Sequence, residues 1–249
     1  MSRIKTGSSR YFVFFFLVLC LLVIIFFSIR GLLSKVDWFR IESISIEGNK
    51  NLETEFLSNL SLDFLDSNLY AVSKEDIMKK YSNIIRIKDI KIRKIFPNKI
   101  KIEIQERKGL FNIKTTEGSI FPIDKEKIIL DNDNFYSDEV LPVICTELSN
   151  ENIKTGNIAE DAFLDRVYDF YNNVVPEFPE FFQQVSEFFP KDNEIYIVEA
   201  NTGYKIVFGD EEIIDKVKRY EFLEQNRTFE KGKVVDLRYK DQLVIRADE

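Results

Sequence analysis

The chain has 249 residues, of which 45% are hydrophobic, and it carries a net charge of −7. It contains no histidine, which excludes Ser-His-Asp and Cys-His catalysis and most zinc sites, and its excess of acids argues against nucleic-acid binding. The two cysteines, Cys20 within a long apolar run and Cys145 far beyond it, provide no disulfide framework, so burial of apolar side chains must stabilise the fold.

An apolar segment near the start of the chain predicts a transmembrane helix. Residues 11–29 are almost entirely Phe, Leu, Ile and Val, and as a helix they would span roughly 28 Å, close to the thickness of the hydrocarbon core. The alternative is a cleaved signal peptide, but the run is longer than the usual apolar core of such a peptide and lacks a small-x-small cleavage site. We therefore predict a retained single-pass anchor.

The charges beside this segment predict its orientation. Arg3, Lys5 and Arg10 precede it with no acid among them, so the positive-inside rule places residues 1–10 in the cytoplasm as a short tail. Everything after Arg30 is then extracytoplasmic and carries a net charge of −11, the remainder when the four bases up to Arg30 are removed from −7. An acidic ectodomain argues against adhesion to anionic lipid surfaces.

Residues 30–39 form a short juxtamembrane linker. Its two aromatic residues, Trp38 and Phe39, either lie near the membrane interface or pack against the first folded domain, and the sequence favours neither. The strand pattern that begins at Arg40 marks the end of the linker.

The order of elements in residues 40–107 is strand, helix, helix, strand, strand. In the last strand Ile100, Ile102 and Ile104 alternate with Lys and Glu, so one face of the strand is predicted to be buried and the other exposed to solvent. This βααββ order suggests a polypeptide-transport-associated (POTRA) domain. The predicted elements are a strand over 40–47 that ends at a Gly48-Asn49 turn, a helix over 53–60, a helix from the N-cap Ser73 to Tyr81, and two strands around Phe96-Pro97-Asn98.

Residues 108–249 predict a β-rich domain with two amphipathic helices. The helices are indicated by apolar residues at helical spacing from Phe163 to Val174 and from Ile213 to Leu223. The predicted strands lie at residues 110–114, 120–123, 128–130, 142–144, 194–199, 204–208, 233–239 and 243–246. The fold class is therefore α+β: one transmembrane helix, a POTRA domain (βααββ) and a β-rich domain with amphipathic helices.

The sequence offers little catalytic chemistry. Cys145 has no histidine to serve as its base, and we expect it to be a small buried residue. Paired carboxylates could still cleave glycosides. The acid clusters, however, are typical of turns, helix N-termini and solvated faces; they lie at 131–133, 138–139, 160–161 and 210–212. We predict no catalytic, cofactor-binding or metal-binding residues.

The last predicted strand offers a binding surface. Residues 243–246 lie next to the end of the given sequence, and an unpaired sheet edge there would accept a partner strand by β-augmentation. The other interpretation is an ordinary edge that is protected by Asp241, Arg246 and Asp248. Both interpretations remain open on the residues alone.

Taken together, the motifs resemble those of the FtsQ/DivIB family of bacterial cell-division proteins. Two positions depart from its pattern: Lys108-Gly109 follows the Glu-Arg pair where Pro and an apolar residue are common, and Cys145 stands where Gly is common. The shared motifs, in chain order, are Ile44-x-Ile46-x-Gly48-Asn49, Phe96-Pro97-Asn98, Ile100-x-Ile102-x-Ile104-x-Glu106-Arg107, Ile123-Asp124, Leu141-Pro142-Val143-Ile144, Gly203 to Gly209, Lys216, and Asp236-Leu237-Arg238-Tyr239.

The resemblance implies a non-enzymatic scaffold of the division machinery, placed in the plasma membrane and enriched at the septum. Its implied partners are single-span division proteins of the FtsB/DivIC and FtsL types, and its implied role is to help recruit and regulate septal peptidoglycan synthesis. A second docking surface for other division components would lie along the POTRA sheet edge at 87–95. The implied partner-binding residues are Tyr239, Lys240, Asp241, Gln242, Leu243, Val244, Ile245 and Arg246.

Two other functions remain as alternatives. One is a membrane-anchored carboxylate glycosidase that acts on the cell wall. The other is a different POTRA-bearing component of envelope translocation, although such proteins usually carry several POTRA units or a downstream membrane barrel.

Overall fold

A computed structural model describes residues 7–33, 36–226, 229–240 and 242–247. Arg3 and Lys5 of the predicted tail, Asp241 of the predicted partner-binding set, and Asp248, which was expected to protect the last strand, lie outside the described residues. The chain divides into two compact units, Met1–Glu106 and Arg107–Glu249, and each is described by itself.

The first unit begins with an apolar helix, α1 (Gly7–Leu33). Within it, Tyr11–Leu33 has a mean hydropathy of 3.3 and buries none of its apolar window inside the protein. Among the described residues it is the one helix long and apolar enough to cross a membrane. The helix continues four residues beyond Ile29, and it fits a single-pass membrane protein.

A three-stranded sheet follows. Its strands lie in the order β1-β3-β2, with β1 (Ser43–Glu47) parallel to β3 (Lys99–Glu106) and β2 (Ile87–Ile95) antiparallel to β3. The residues of β3 alternate as predicted: its isoleucines face the core, where Ile100 and Ile102 are fully buried, and its lysines lie on the other face. Strand β2 is therefore an edge strand of this sheet.

Two short helices complete the predicted βααββ order, α2 (Thr54–Asn59) and α3 (Lys74–Tyr81). The predicted N-cap of α3 is confirmed, because the Ser73 hydroxyl oxygen accepts the backbone N–H of Asp76 at 3.0 Å. The hydroxyl of the buried Tyr81 donates to the carbonyl of Leu57 at 3.0 Å and so ties the two helices together.

The turn after β1 is held by the end of β3. Gly48 has a φ of +91°, and a Cβ at this position would collide with the carbonyl oxygen of Ile104, so the turn requires glycine. The Glu106 carboxylate then accepts the backbone N–H groups of the next three residues at 2.8–3.1 Å; these residues are Lys50, Asn51 and Leu52.

The second unit contains an eight-stranded mixed sheet in the order β11-β10-β9-β8-β7-β6-β4-β5. Its outermost strand, β11, pairs antiparallel with β10, whereas β10 pairs parallel with β9. The strands are β4 (Phe111–Lys114), β5 (Ile120–Ile123), β6 (Val143–Cys145), β7 (Val185–Lys191), β8 (Glu194–Glu199), β9 (Lys205–Val207), β10 (Lys233–Asp236) and β11 (Val244–Ala247).

Two helices cover one face of this sheet, α4 (Ala162–Val174) and α5 (Ile213–Glu224), and their predicted amphipathic faces are confirmed. The main core is rich in aromatic rings that meet edge to face, which suits the quadrupoles of the rings. The rings of Phe170, Phe181, Phe188, Phe208 and Tyr220 belong to this core. A smaller cluster of Tyr196, Val207 and Val234 lies apart from it.

Two strand predictions need correction. The predicted strand at 128–130 is wrong, because Ile128 and Ile129 form only isolated bridges. The Asp124 carboxylate accepts two backbone N–H groups of a tight turn here, and Lys127 has a φ of +61°, so the chain bends instead of extending. Strand β7 (Val185–Lys191) was not predicted, because it contains Pro190 and lacks clean alternation.

We expect Glu106→Ala to loosen the turn after β1. Hydrogen bonds to a charged acceptor contribute about 1.5–3 kcal/mol each, so the amides of residues 50–52 should exchange with deuterium at least about tenfold faster in the full chain. Glu103→Ala is the matched control, because Glu103 lies on the same strand and forms ion pairs with Arg93 and Lys101 at 3.3 and 3.4 Å. Unchanged exchange at 50–52 in Glu106→Ala would contradict this role.

Candidate partner-binding site

Strand β11 lies at one end of the eight-stranded sheet. It pairs on one side with β10, with Val235 opposite Ile245 and Asp236 opposite Val244. On its other side no strand is paired among the described residues. Its outer backbone groups therefore face an open edge, the geometry that β-augmentation requires.

The two faces of β11 differ in chemistry. Ile245 lies opposite Val235, a member of the main core, and Leu243 packs against that core from the same side. Ile245 is nevertheless 48% exposed. Arg246 lies opposite Val234 on the other face, where the smaller cluster lies.

A buried carboxylate supports β11 from this second face. Asp236 is 2% exposed and accepts hydrogen bonds from Nε and Nη2 of Arg238 at 3.0 and 2.6 Å and from its backbone N–H at 3.1 Å. Arg246 of β11 reaches the same carboxylate at 3.5 Å, and its Nη2 donates to the Tyr196 hydroxyl at 2.6 Å. An ion pair thus ties β11 to β10, and a hydrogen bond ties it to β8.

The environment keeps Asp236 ionised. Burial alone would raise the pKa of its carboxyl, but the hydrogen bonds from Arg238 and the charges of Arg238 and Arg246 outweigh it and lower the pKa below its ordinary value of 3.8. The Asp236 hydrogen bonds in turn raise the pKa of the Arg238 guanidinium. The cluster is therefore a charged one at neutral pH.

The loop before β11 is exposed. Tyr239 is 52% exposed, and its carbonyl accepts a hydrogen bond from Nη1 of Arg219 on α5 at 3.4 Å. Lys240 forms an ion pair with Glu212 at 3.6 Å, and Gln242 is exposed. The structure thus places Tyr239 and Lys240 in the loop before β11, and Gln242 to Arg246 immediately before β11 or on it.

Sequence reasoning missed two residues near this edge. Asp236 was noticed only as part of a family motif, and an acid in sequence is usually read as exposed. Tyr196 lies 50 residues from Arg246, and nothing in the sequence links them.

Possible catalytic groups are engaged in structural contacts. Burial and then the hydrogen bond to Glu187, at 2.8 Å, raise the pKa of the Cys145 thiol to about 12, so the thiolate is scarce at neutral pH. Asp161 caps α4 by accepting the N–H of Leu164 at 2.8 Å, and Asp210 pairs with Arg166 at 3.1 Å. The described residues contain no group of three His, Cys, Asp or Glu side chains that could hold a metal ion.

Comparisons with known proteins agree with the architecture described above. Residues 39–107 match the family model of the POTRA domain, FtsQ-type. Three relatives carry the name cell division protein DivIB. The protein from Clostridium botulinum strain Hall is 34% identical over 97 residues, which cover 39% of this chain and 38% of the relative. The one from Clostridium acetobutylicum is 32% identical over 101 residues, 39% of each chain. The one from Bacillus subtilis is 26% identical over 139 residues, 55% of this chain and 48% of the relative.

The first unit thus contains a POTRA domain of the FtsQ type, carried behind an apolar helix that fits a membrane anchor. These matches confirm the resemblance to the FtsQ/DivIB family of cell-division proteins that the motifs indicated. It spans about two fifths of the length of the clostridial relatives it matches.

We expect Asp236→Asn to lower the free energy of unfolding of the second unit by about 1–3 kcal/mol at pH 7, because Arg238 and Arg246 lose their buried counter-charge. A lowered pKa means that the ionised carboxyl stabilises the fold above pH 3.8, its ordinary value, and that this contribution is lost as the pH falls through the folded-state pKa. Thermal unfolding of wild type and variant should therefore converge in acid.

Asp210→Asn is the control for this prediction. The Asp210 side chain is 72% exposed in its ion pair with Arg166, so its loss should leave the unfolding temperature nearly unchanged. Equal unfolding temperatures for Asp236→Asn and wild type at pH 7 would show that the carboxylate does not stabilise the sheet edge.

Proposed function

We propose that this chain is a membrane-anchored, non-enzymatic scaffold of the division machinery that captures a partner strand on the open edge of β11. Its partners are single-span proteins of the FtsB/DivIC and FtsL types, and through them it helps recruit and regulate septal peptidoglycan synthesis. One observation carries the proposal: β11 is unpaired on its outer side among the described residues, yet it is held in place from beneath by Asp236 and Tyr196.

A strand β11 that is already ordered favours the capture of a partner strand. Each backbone hydrogen bond of an added strand contributes only about 0.5–1.5 kcal/mol net, so a template that must first fold into place would lose much of this gain to entropy. The contacts of Arg246 restrain β11 before any partner arrives. The ladder of backbone hydrogen bonds would then add to a pre-organised strand.

Side chains near the edge would set specificity. Ile245 is 48% exposed, and a partner strand with apolar residues on the helix-covered side of the sheet would cover it. Tyr239 offers a further half-exposed ring beside the loop. The proposed interface is thus the predicted segment from Tyr239 to Arg246.

The proposed arrangement in the envelope follows from charge. Arg3, Lys5 and Arg10 keep residues 1–10 in the cytoplasm, α1 crosses the plasma membrane, and both folded units are extracytoplasmic and gather at the septum. In this arrangement a linker precedes a POTRA domain over 40–107 and a β domain over 108–249. The open edge of β2 is proposed as a second docking surface for other division components.

A non-enzymatic role is supported by what the acids and the thiol do. Cys145 is a poor nucleophile at neutral pH because its pKa is raised to about 12. Asp161 and Asp210 already act as a helix cap and an ion-pair partner. Capping a helix and forming an ion pair are both typical structural roles of acidic residues.

Val244→Pro and Ile245→Pro test the strand addition as a matched pair, because successive backbone N–H groups of a strand point to opposite sides. One of the two prolines removes a donor toward β10 and the other removes a donor on the open edge. The variant that loses the edge donor should bind the ectodomain of an FtsB/DivIC-type partner about tenfold more weakly or worse, with a nearly unchanged unfolding temperature. The variant that loses the donor toward β10 should also have a lower unfolding temperature.

Ile120→Pro provides a control at the opposite edge of the same sheet. Ile120 begins β5, is 54% exposed, and lies two residues from Pro122, which that strand already accommodates. Partner affinity should be unchanged in this variant. Wild-type affinity in both β11 variants, measured by titration of the purified full-length proteins, would sink the proposal.

A further inference from the structure

Four exposed apolar side chains gather at one end of the first unit. Val36, Trp38, Ile95 and Phe96 are 41%, 71%, 43% and 59% exposed. They come from two segments about 60 residues apart, the linker and the β2–β3 turn. We call these four residues the aromatic end.

Ring contacts hold the aromatic end together. Phe39 lies between its two halves, with ring-centroid distances of 5.8 Å to Trp38 and 6.3 Å to Phe96. Tyr70 meets both Phe39, at 4.9 Å, and Phe96, at 5.6 Å. Trp38 therefore adjoins the folded domain while its own ring stays largely exposed.

The aromatic end lies where the chain leaves the apolar helix. Nδ2 of Asn68 donates to the carbonyls of Leu33, the last residue of α1, at 3.2 Å and of Val36 at 3.1 Å. A cleft of about 260 Å³ is lined by Phe26, Ile29 and Leu33 of α1 and by Tyr70 and Lys94 of the domain. This end of the domain therefore lies beside the last turns of the proposed span.

The charge at this end differs from that of the whole chain. Residues 91–101, the tip of the β2–β3 hairpin, contain five Lys and Arg residues and no acid, whereas the chain as a whole has a net charge of −7. Net charge alone argues against adhesion to anionic lipids, but local charge decides at a surface within a Debye length. The hairpin tip is basic, although Glu103 and Glu47, which lie just outside residues 91–101, form ion pairs with Arg93 at 3.3 Å and with Lys101 at 2.8 Å.

We propose that the aromatic end docks into the headgroup region of the outer leaflet of the membrane that α1 crosses. Tryptophan and tyrosine prefer this region because their rings are apolar while their polar atoms stay hydrated, and neighbouring bases favour anionic head groups. The proposal uses the membrane anchor but does not depend on any division partner. It predicts that the POTRA domain rests on the membrane instead of swinging from its linker.

The full chain in vesicles of phosphatidylcholine and phosphatidylglycerol provides the test, because Trp38 is its sole tryptophan. Trp38 follows α1 so closely that its depth in the membrane would reflect the position of α1 more than that of the folded domain. The decisive reporter is therefore the double variant Trp38→Phe, Phe96→Trp, since residue 96 can reach the lipid only if the folded domain docks. Its fluorescence should be quenched by lipids spin-labelled near the head groups and shielded from iodide at least about threefold relative to the control.

The control is Trp38→Phe, Asp89→Trp. Asp89 is exposed on β2, the strand that leads into the turn at Phe96, and lies seven residues before Phe96, which places it roughly 23 Å away at about 3.3 Å per residue. Its fluorescence should be quenched by iodide and unaffected by labelled lipids. Circular dichroism of both variants establishes that each is folded.

Three results would overturn the proposal. A tryptophan at position 96 that is quenched by iodide and not by labelled lipids would mean that only α1 and the linker are near the membrane. A tryptophan at 96 shielded from iodide but not quenched by labelled lipids would mean that protein, such as a second copy or a partner helix, covers the aromatic end. Equal lipid quenching at 96 and 89 would mean that the domain has no preferred docking face.

Discussion

The buried carboxylate of Asp236 accepts hydrogen bonds from Arg238 and lies 3.5 Å from Arg246, so charge as well as the backbone ladder joins β11 to β10. A four-residue strand with a single neighbour is marginal by itself. Arg246 also reaches the Tyr196 hydroxyl on β8, two strands further into the sheet. The order of the sheet edge, and with it any strand that pairs there, depends on this cluster.

Strands β2 and β11 each lie at an edge of their sheet, but the two edges are protected differently. Strand β2 carries Lys91 and Arg93 and a register shift near Asp89, features that discourage further strand pairing. Strand β11 is short and presents the half-exposed Ile245 near the edge, with its arginine turned to the opposite face. The edge of β11 is therefore the better template for a partner, and β2 favours weaker or more polar contacts.

Local patterns in the sequence predicted local structure well. The alternation of Ile100 and Ile102 with lysine predicted β3 and its buried face, and Ser73 predicted the start of α3. Strand β7 escaped prediction because its pairing with β6 and β8, not its own pattern, makes it a strand. The sequence did not decide whether Trp38 and Phe39 pack against the first domain or lie near the membrane interface. In the structure Phe39 packs against Tyr70, whereas Trp38 stays exposed.

The candidate site was predictable only in part. The segment from Tyr239 to Arg246 came from a family resemblance together with the expectation of a terminal strand, and the structure places β11 at an edge. What lies beneath that edge was not predictable, because Asp236 and Tyr196 meet Arg246 through tertiary contacts that no spacing in the sequence encodes. Such long-range polar contacts decide which of several strands is held in order at an open edge.

Hydrogen exchange of the full-length chain, with and without an FtsB/DivIC-type partner, tests strand capture most directly. The outward-facing amides of residues 243–247 should become protected when the partner binds, because they enter a new backbone ladder. The amides of β5, at the other edge of the same sheet, should exchange as before. Protection that appears elsewhere while residues 243–247 exchange at their unbound rate would contradict strand capture at β11.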